Sequence, residues 1–402
     1  MENREERRTE GPETPVTGRD SAERPEAAVS DAGPAQGAKA ALSGAAAASG
    51  ARRLPQDALL LAPMVELSHR ALRELILEFG GLDLAYTEMA SSGAAISGGA
   101  YEKWYLDSGP DPSRTILQFY TLTEERLAAA LKFVADNEKA DAPLPGPSGY
   151  AKPLFEIPVY GADINFGCAA PAIRRVGGGV AWMSKPIQAI SLARAARSVW
   201  PRPRSLSAKM RIGENEDYPA LLDFCRGLEE AGLDFITLHP RLAGEHFKRR
   251  ARWEYVGRLS RDLAIPVVGN GDIHTYNDYI SKRRIASEAG AAPAGVMIGR
   301  GAATRPWIFA LIRGREQSSD FALQLNLRDI AHHYLDLVET RLPADFHLSR
   351  ARRFFYYYTD NFSWAHQIKW KLENCTDIQS MHAALEDYFA EVPGDKIKTD
   401  RD

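Results

Sequence analysis

Gly161-Ala162-Asp163-Ile164-Asn165-Phe166-Gly167-Cys168 reads as a buried strand that ends in a glycine and then presents a thiol. A run of small residues follows, with three glycines at 177–179. In an α/β barrel the carboxyl end of a strand is where chemistry sits. A thiol there is a usable proton donor, because its free pKa of about 8.5 can be tuned in either direction. The plain alternative is a buried, inert cysteine. What stands at the other strand ends decides between the two.

Outward from this segment, short apolar runs recur from residue 58 onward. They are Ala58–Ala62, Leu82–Glu88, Thr115–Phe119, Ala162–Phe166, Ser207–Arg211, Phe235–His239, Pro266–Asn270 and Gly295–Ile298. Helix-like patterns at 69–79, 123–136, 187–199, 217–231, 252–263 and 275–288 separate most of them. Eight strands with intervening helices predict a parallel barrel. The span 58–298 suits a TIM barrel of about 250 residues. Strands covered by helices outside and by their own barrel inside should be continuously apolar, and these mostly are. A doubly wound open sheet is the alternative. The absence of G-x-G-x-x-G after the first strand counts against it.

After Ile312 the pattern is helical only, near 323–341, 349–359, 363–373 and 377–390. Residues 1–53 are rich in Ala, Gly, Pro, Glu and Arg and lack aromatics. Such a composition cannot offset ordering entropy. The expected fold is α/β: a TIM (β/α)8 barrel over 54–315, a C-terminal all-helical domain over 316–402, and a disordered N-terminal tail over 1–53. Residues 137–158 read as a surface insertion before the fourth strand. Residues 177–186 read as a second long loop.

The chain has 402 residues, 45% hydrophobic and 26% charged, with a formal net charge of -3. That length buries a large core and predicts two or three domains. A near-neutral balance confines any nucleic-acid contact to local patches. The tail, with nine acidic and eight basic residues, is not a basic arm. Cys168, Cys225 and Cys375 form neither a disulfide framework nor a zinc spacing, so no metal is expected and a reducing cytoplasm is the default. No apolar segment follows the Glu/Arg mix of residues 2–10, and no run approaches the roughly 20 residues of a membrane span. The expectation is a cytoplasmic protein with no membrane partner.

Polar residues gather at the carboxyl ends of the expected strands. Pro63 and Met64 follow the first and Glu88 closes the second; Gln118 lies on the third. Asn165 and Cys168 mark the fourth, and Lys209 and Arg211 the fifth. His239 and Arg241 close the sixth, Asn270-Gly271-Asp272 the seventh, and Gly299-Arg300-Gly301 the eighth. A polar group at nearly every strand end is what a barrel active site requires. The glycines after strands seven and eight let backbone N–H groups approach an anion. Lys209, pointing into an apolar barrel, is costly to bury unless an anionic cofactor or a core carboxylate compensates it.

With these residues in place the chain resembles the tRNA-dihydrouridine synthase family. The matching pieces are Leu61-Ala62-Pro63-Met64, Thr87-Glu88-Met89, Gln118-Phe119, Asp163 to Cys168, Lys209-Met210-Arg211, Leu238-His239-Pro240-Arg241, Gly269 to Ile273, and Val296 to Ala302. They stand in family order and cover the barrel. The family usually has Gly-Cys-Pro; here Pro171 is displaced, in Gly167-Cys168-Ala169-Ala170-Pro171.

The resemblance implies an FMN enzyme, reduced by NADPH, that saturates the C5–C6 bond of a uridine in RNA, with transfer RNA the expected kind. By the same resemblance Cys168 is the general acid and Asn165 holds the uracil edge. Ala62, Pro63, Met64, Gln118, Lys209, His239, Asn270, Gly271, Asp272, Gly299 and Arg300 hold the flavin and its phosphate. Arg211, Arg241, Arg352 and Arg353 are read as substrate contacts.

Two basic stretches fit an RNA partner. Residues 241–261 hold Arg241, Lys248, Arg249, Arg250, Arg252, Arg258 and Arg261; residues 350–371 hold Arg350, Arg352, Arg353, Lys369 and Lys371. Aromatic residues from Phe354 to Trp370 are interleaved in the second, and more than half of them should be core. Two other readings compete: a flavin barrel reducing a small metabolite, and a non-catalytic RNA-binding barrel. The basic helical region counts against the first, and an intact Cys168, Lys209 and His239 against the second.

Overall fold

The protein is described from a computed structural model covering residues 53–137, 158–245 and 249–402. The tail up to Arg52, residues 138–157 of the expected insertion, and Lys248 lie outside the described residues. Eight parallel strands form the centre: β1 (Ala58–Leu61), β2 (Leu84–Tyr86), β3 (Thr115–Tyr120), β4 (Gly161–Phe166), β5 (Ser205–Met210), β6 (Phe235–Leu238), β7 (Val267–Asn270) and β8 (Gly295–Ile298). Each pairs with the next in chain order. β8 returns to β1, with Ala58 opposite Gly295 and Leu61 opposite Ile298, and the barrel closes.

The helices α1 (Arg70–Phe79), α2 (Glu124–Asn137), α3 (Pro186–Val199), α4 (Tyr218–Glu230), α5 (Trp253–Asp262), α6 (Tyr276–Ala289) and α7 (Ile308–Gln317) lie between the strands and after the last. β2 is shorter than the sequence predicted. Asp83 turns its carboxylate to accept from Leu59 N at 2.7 Å and from Arg313 at 2.6 Å, so the pairing with β1 starts only at Leu84.

The strands alternate, and the alternation creates the site. Leu59 and Leu61 face the helices, whereas Ala58 and Leu60 pack inside the barrel with Leu84, Tyr86, Ile116, Phe235, Val268 and Met297. On β4, Ala162, Ile164 and Phe166 join the outer core, which turns Asp163 and Asn165 inward. On β5, Leu206, Ala208 and Met210 do the same, which turns Ser207 and Lys209 inward. Register places Asp163 opposite both Gln118 and Ser207, and Asn165 opposite Lys209. One arc of the barrel interior is therefore polar while the rest is apolar.

The C-terminal region contains α8 (Leu327–Arg341), α9 (His347–Tyr358), α10 (Ala365–Glu373) and α11 (Ile378–Glu391). It also holds a two-stranded antiparallel ribbon, β9 (Leu323–Asn326) with β10 (Ile397–Asp400). The expected helix 323–341 thus begins later: Asn326 accepts from Asp329 N and caps α8. The ribbon anchors to the barrel, because the Trp307 indole donates to Asp400 at 2.7 Å. α8 lies on α1, where Arg341 forks onto Glu74 at 2.8–3.1 Å. Phe354, Phe355, Tyr358 and Phe362 are buried, as expected, while Tyr356, Trp364 and Trp370 are 54, 60 and 66% exposed. Burying each of the first group contributes roughly 1.5–3 kcal/mol.

Candidate active site

The loop carrying Cys168 is fixed at several points. Asn165 Oδ1 accepts from Gly167 N at 3.1 Å and from Cys168 N at 2.8 Å. The Cys168 carbonyl accepts from Val180 N at 3.0 Å. Gly179 makes this close approach possible: its φ is +58°, and a Cβ there would stand 3.0 Å from that of Cys168. Pro171 opens a short helix, Pro171–Arg175, at its first position, where no amide hydrogen is needed. The displaced proline therefore leaves Cys168 in an extended loop ahead of that helix. The expected long loop at 177–186 is mostly a 3-10 turn, Gly179–Ser184, held by the Trp182 indole on the Thr121 carbonyl at 3.0 Å.

Cys168 lies on the wall of an open cleft of about 220 Å³ at the carboxyl ends of the strands. Ala62, Pro63, Met64, Gln118, Asn165, Lys209, Arg211, His239, Arg241, Asn270, Gly271, Asp272, Gly299 and Arg300 all line it. The cleft thus brings together every site residue that the sequence placed in the barrel. Arg352 and Arg353 are on α9 and do not line it.

Several of these side chains have work other than the sequence assigned. Arg211 donates to the Gly167 carbonyl at 3.2 Å and, through Nη1, to those of Leu242 and Glu245 at 2.9 and 3.2 Å. It braces the Cys168 loop against the loop after β6. Arg241 is 1% exposed; it donates to Asp272 at 2.6 Å, to the Arg249 carbonyl at 2.6 Å, and meets His239 Nε2 at 2.8 Å. Buried and so engaged, Arg241 joins the ends of β6 and β7. Asp272 spends its other oxygen on Ala251 N at 2.8 Å. Asn165, expected to hold a base edge, spends its carbonyl on the backbone and donates through Nδ2 to Gln118 Oε1 at 2.9 Å. Asn270 donates to the Met297 carbonyl at 2.8 Å.

The basic cluster expected at 350–371, across α9 and α10, is also divided. Arg350 is buried at the barrel, 3.8 Å from Glu88 and 3.6 Å from Glu66. Arg352 donates to the Cys375 carbonyl at 2.7 Å. Lys369 pairs with Asp360 at 2.9 Å and Lys371 with Glu391 at 4.0 Å. Arg353 remains exposed, over the Tyr357 ring.

The cleft is cationic. Burial, then Arg211, pulls the Lys209 ammonium down to about 8, with Asp163 and Cys168 opposing. No hydrogen bond or ion pair to its Nζ is found among the described residues. Burial, then Lys209 and the arginines 211, 241 and 300, holds His239 well below its ordinary value. His239 is therefore neutral: it accepts from Arg241 at Nε2 and contributes an N–H, not a charge. Gly271, at φ +120°, lies against this ring; a Cβ there would stand 3.0 Å from His239 Cδ2.

Three cleft features escaped the sequence reading. Met89 and His274 line it, and Asp163 lies beneath it with 1% exposure. Asp163 had a legible signal, as a lone carboxylate within an apolar strand. Burial pushes its carboxyl up to about 7, against hydrogen bonds from Ser207 and Gln118 and the charge of Lys209.

The model of the dihydrouridine synthase (Dus) family matches residues 60–142 and 151–392. The tRNA-dihydrouridine(16) synthase of Cupriavidus necator is 27% identical over 334 residues, covering 82% of this chain and 96% of that protein. That of Neisseria meningitidis serogroup A is 29% identical over 272 residues, covering 66% and 75%. A probable tRNA-dihydrouridine synthase of Mycobacterium tuberculosis is 30% identical over 259 residues, covering 62% and 60%. Among solved structures, a 2-naphthoyl-CoA reductase complex aligns at a TM-score of 0.44 with 8% identity, over 63% of this chain and 49% of that one. With the family model running through barrel and helical region alike, and the shared motifs meeting in one cleft, the chain belongs to the dihydrouridine synthase family.

Proposed function

We propose that this protein reduces the C5–C6 double bond of a uridine in transfer RNA, with FMN as cofactor, NADPH as electron donor and Cys168 as general acid. The observation that carries this reading is the pairing of a pinned thiol with a cationic cleft whose lysine has no acceptor among the described residues. The residues present fit FMN. Lys209 and Arg300 suit its phosphate and anionic ring. Gly299 leaves room beside Met64 and Ala62, where a Cβ would stand 3.3 Å from the Met64 sulfur. Gln118, whose amide orientation is fixed by Asp163, suits a ring carbonyl or imide.

The uracil double bond is conjugated to a carbonyl, so it accepts hydride at C6 and a proton at C5. Bound FMN, kept reduced by NADPH, supplies the hydride equivalent. Cys168 donates the proton, from a loop whose geometry Asn165, Arg211 and Val180 hold. Lys209 would hold a positive charge in the cleft where the flavin binds. The target base must leave its stack to enter the cleft. Arg353 and the exposed Tyr356, Trp364 and Trp370 offer phosphate and stacking contacts outside it.

The test is reconstitution. Purified protein with FMN, NADPH and an unmodified transfer RNA transcript is expected to form dihydrouridine, read and positioned by mass spectrometry of nuclease fragments. Flavin-loaded protein that forms none, yet reduces a small enone, would replace this reading with the small-metabolite one.

A further inference from the structure

The buried side chains beneath the cleft form one continuous hydrogen-bonded line. Ser207 Oγ donates to Asp163 Oδ1 at 2.6 Å, and Gln118 Nε2 donates to Asp163 Oδ2 at 2.7 Å. Asn165 Nδ2 donates to Gln118 Oε1 at 2.9 Å. Asn165 Oδ1 then takes the Gly167 and Cys168 amides. Asp163 and Gln118 are each 1% exposed and Asn165 is 8% exposed.

A carboxamide fits its site equally well in either orientation, so shape alone cannot decide which atom points where. Polarity decides. An ionised carboxylate only accepts, and a backbone N–H only donates. Above about pH 7, where Asp163 is ionised and only accepts, it draws the NH2 of Gln118, which turns the Gln118 carbonyl to Asn165. That draws the Asn165 NH2 and leaves its carbonyl for the Cys168 amide. Were Gln118 reversed, its NH2 would face that of Asn165. Reversing Asn165 in turn would aim an NH2 at the Cys168 N–H. Either conflict leaves a buried donor unsatisfied, at about 1–3 kcal/mol.

We infer that Asp163 is a positioning residue, which sets the direction of the Gln118–Asn165 amide relay and through it the conformation of the Cys168 loop. Its consequence for RNA reduction rests on the reading of Cys168 as the acid, but the relay itself does not. Lys209 from β5 and the Tyr86 phenol from β2 are the titratable groups facing Asp163 from neighbouring strands, and Cys168 lies within reach of Lys209.

An exchange at positions 163 and 118 tests this. Gln118→Glu sets two carboxyls face to face. While the new one keeps its proton it donates to Asp163 as the amide did, and the relay holds. Once it ionises, two acceptors meet and the relay fails. Alkylation of Cys168 by iodoacetamide in the flavin-free protein, followed by mass spectrometry, is therefore expected to gain a second pH step, in addition to the thiol ionisation that the parent also shows. Above the step the loosened loop should react several-fold faster. Adding Asp163→Asn should abolish the step, because the amide at 163 then donates to the carboxylate at 118 and every bond is restored. A single variant with the parent's profile, or a double variant that keeps the step, overturns the inference. If Gln118→Glu alone does not fold, recovery of folded protein in the double variant is the supporting result, and failure of both overturns it. Thiol alkylation does not depend on turnover, so a Cys168 that proves dispensable for RNA reduction would sink the proposed function and leave this result standing.

Discussion

Lys209 shows how a single buried charge can be read as a ligand's imprint. Burial and Arg211 bring its ammonium down to about 8, so without a bound anion it loses its charge as pH rises through that value. An anionic ligand favours the charged form, so FMN affinity is expected to fall as pH rises past 8. Flavin fluorescence titration on either side of that pH checks this. Lys209→Met should weaken binding and flatten the dependence, and an affinity in the parent that is level across pH 8 would refute the role. Lys209 and Cys168 were legible because an ionisable group at a barrel strand end has few structural reasons to be there. Arg211 and Arg241 were legible as strand-end residues but not as braces between loops. Their partners are the Gly167, Leu242 and Arg249 carbonyls and Asp272, and no local pattern announces contacts between separate loops.

At the scale of elements, the glycine run after β4 has a definite task. Gly179 sits at φ +58° with its α-carbon packed against Cys168. Gly179→Ala is expected to cost more than the roughly 1 kcal/mol of the left-handed backbone, because the new Cβ would stand 2.5 Å from the Cys168 carbonyl oxygen, and the displaced atoms belong to Cys168. Thermal melting beside dihydrouridine formation separates the stability cost from the effect on turnover. A variant that loses stability but keeps full turnover would show that the turn does not position the thiol. All eight strands were visible as short apolar runs, since the period of the barrel is local. The ribbon was not. Leu323-Gln324-Leu325-Asn326 became a strand because Ile397–Asp400 pairs with it, and a partner that distant in sequence leaves no mark on the local pattern.

Across the whole molecule, the proposed function divides chemistry and RNA contact between different parts. The barrel holds the cleft, and the helical region presents Arg353 with exposed Tyr356, Trp364 and Trp370. Arg353→Ala is expected to weaken RNA binding and lower the log–log salt slope by about one unit. Arg352→Ala should instead cost stability, because that side chain holds the Cys375 carbonyl. Filter binding across salt concentrations, beside thermal melts, distinguishes them, and equal RNA defects in both variants would contradict the assignment. Composition foretold basic residues and aromatics here. Which were core and which were surface depended on how α9 and α10 pack, and that is a tertiary outcome. The central claim is that Cys168 delivers the proton to a uridine reduced at the barrel mouth. Its most direct test is a stopped-flow single turnover, in which protein loaded with FMN and reduced by NADPH is mixed with unmodified transfer RNA. Cys168→Ala should be reduced by NADPH at the parent rate, while its RNA-dependent flavin reoxidation falls by about 10²- to 10⁴-fold. Reoxidation by RNA at the parent rate would contradict the claim.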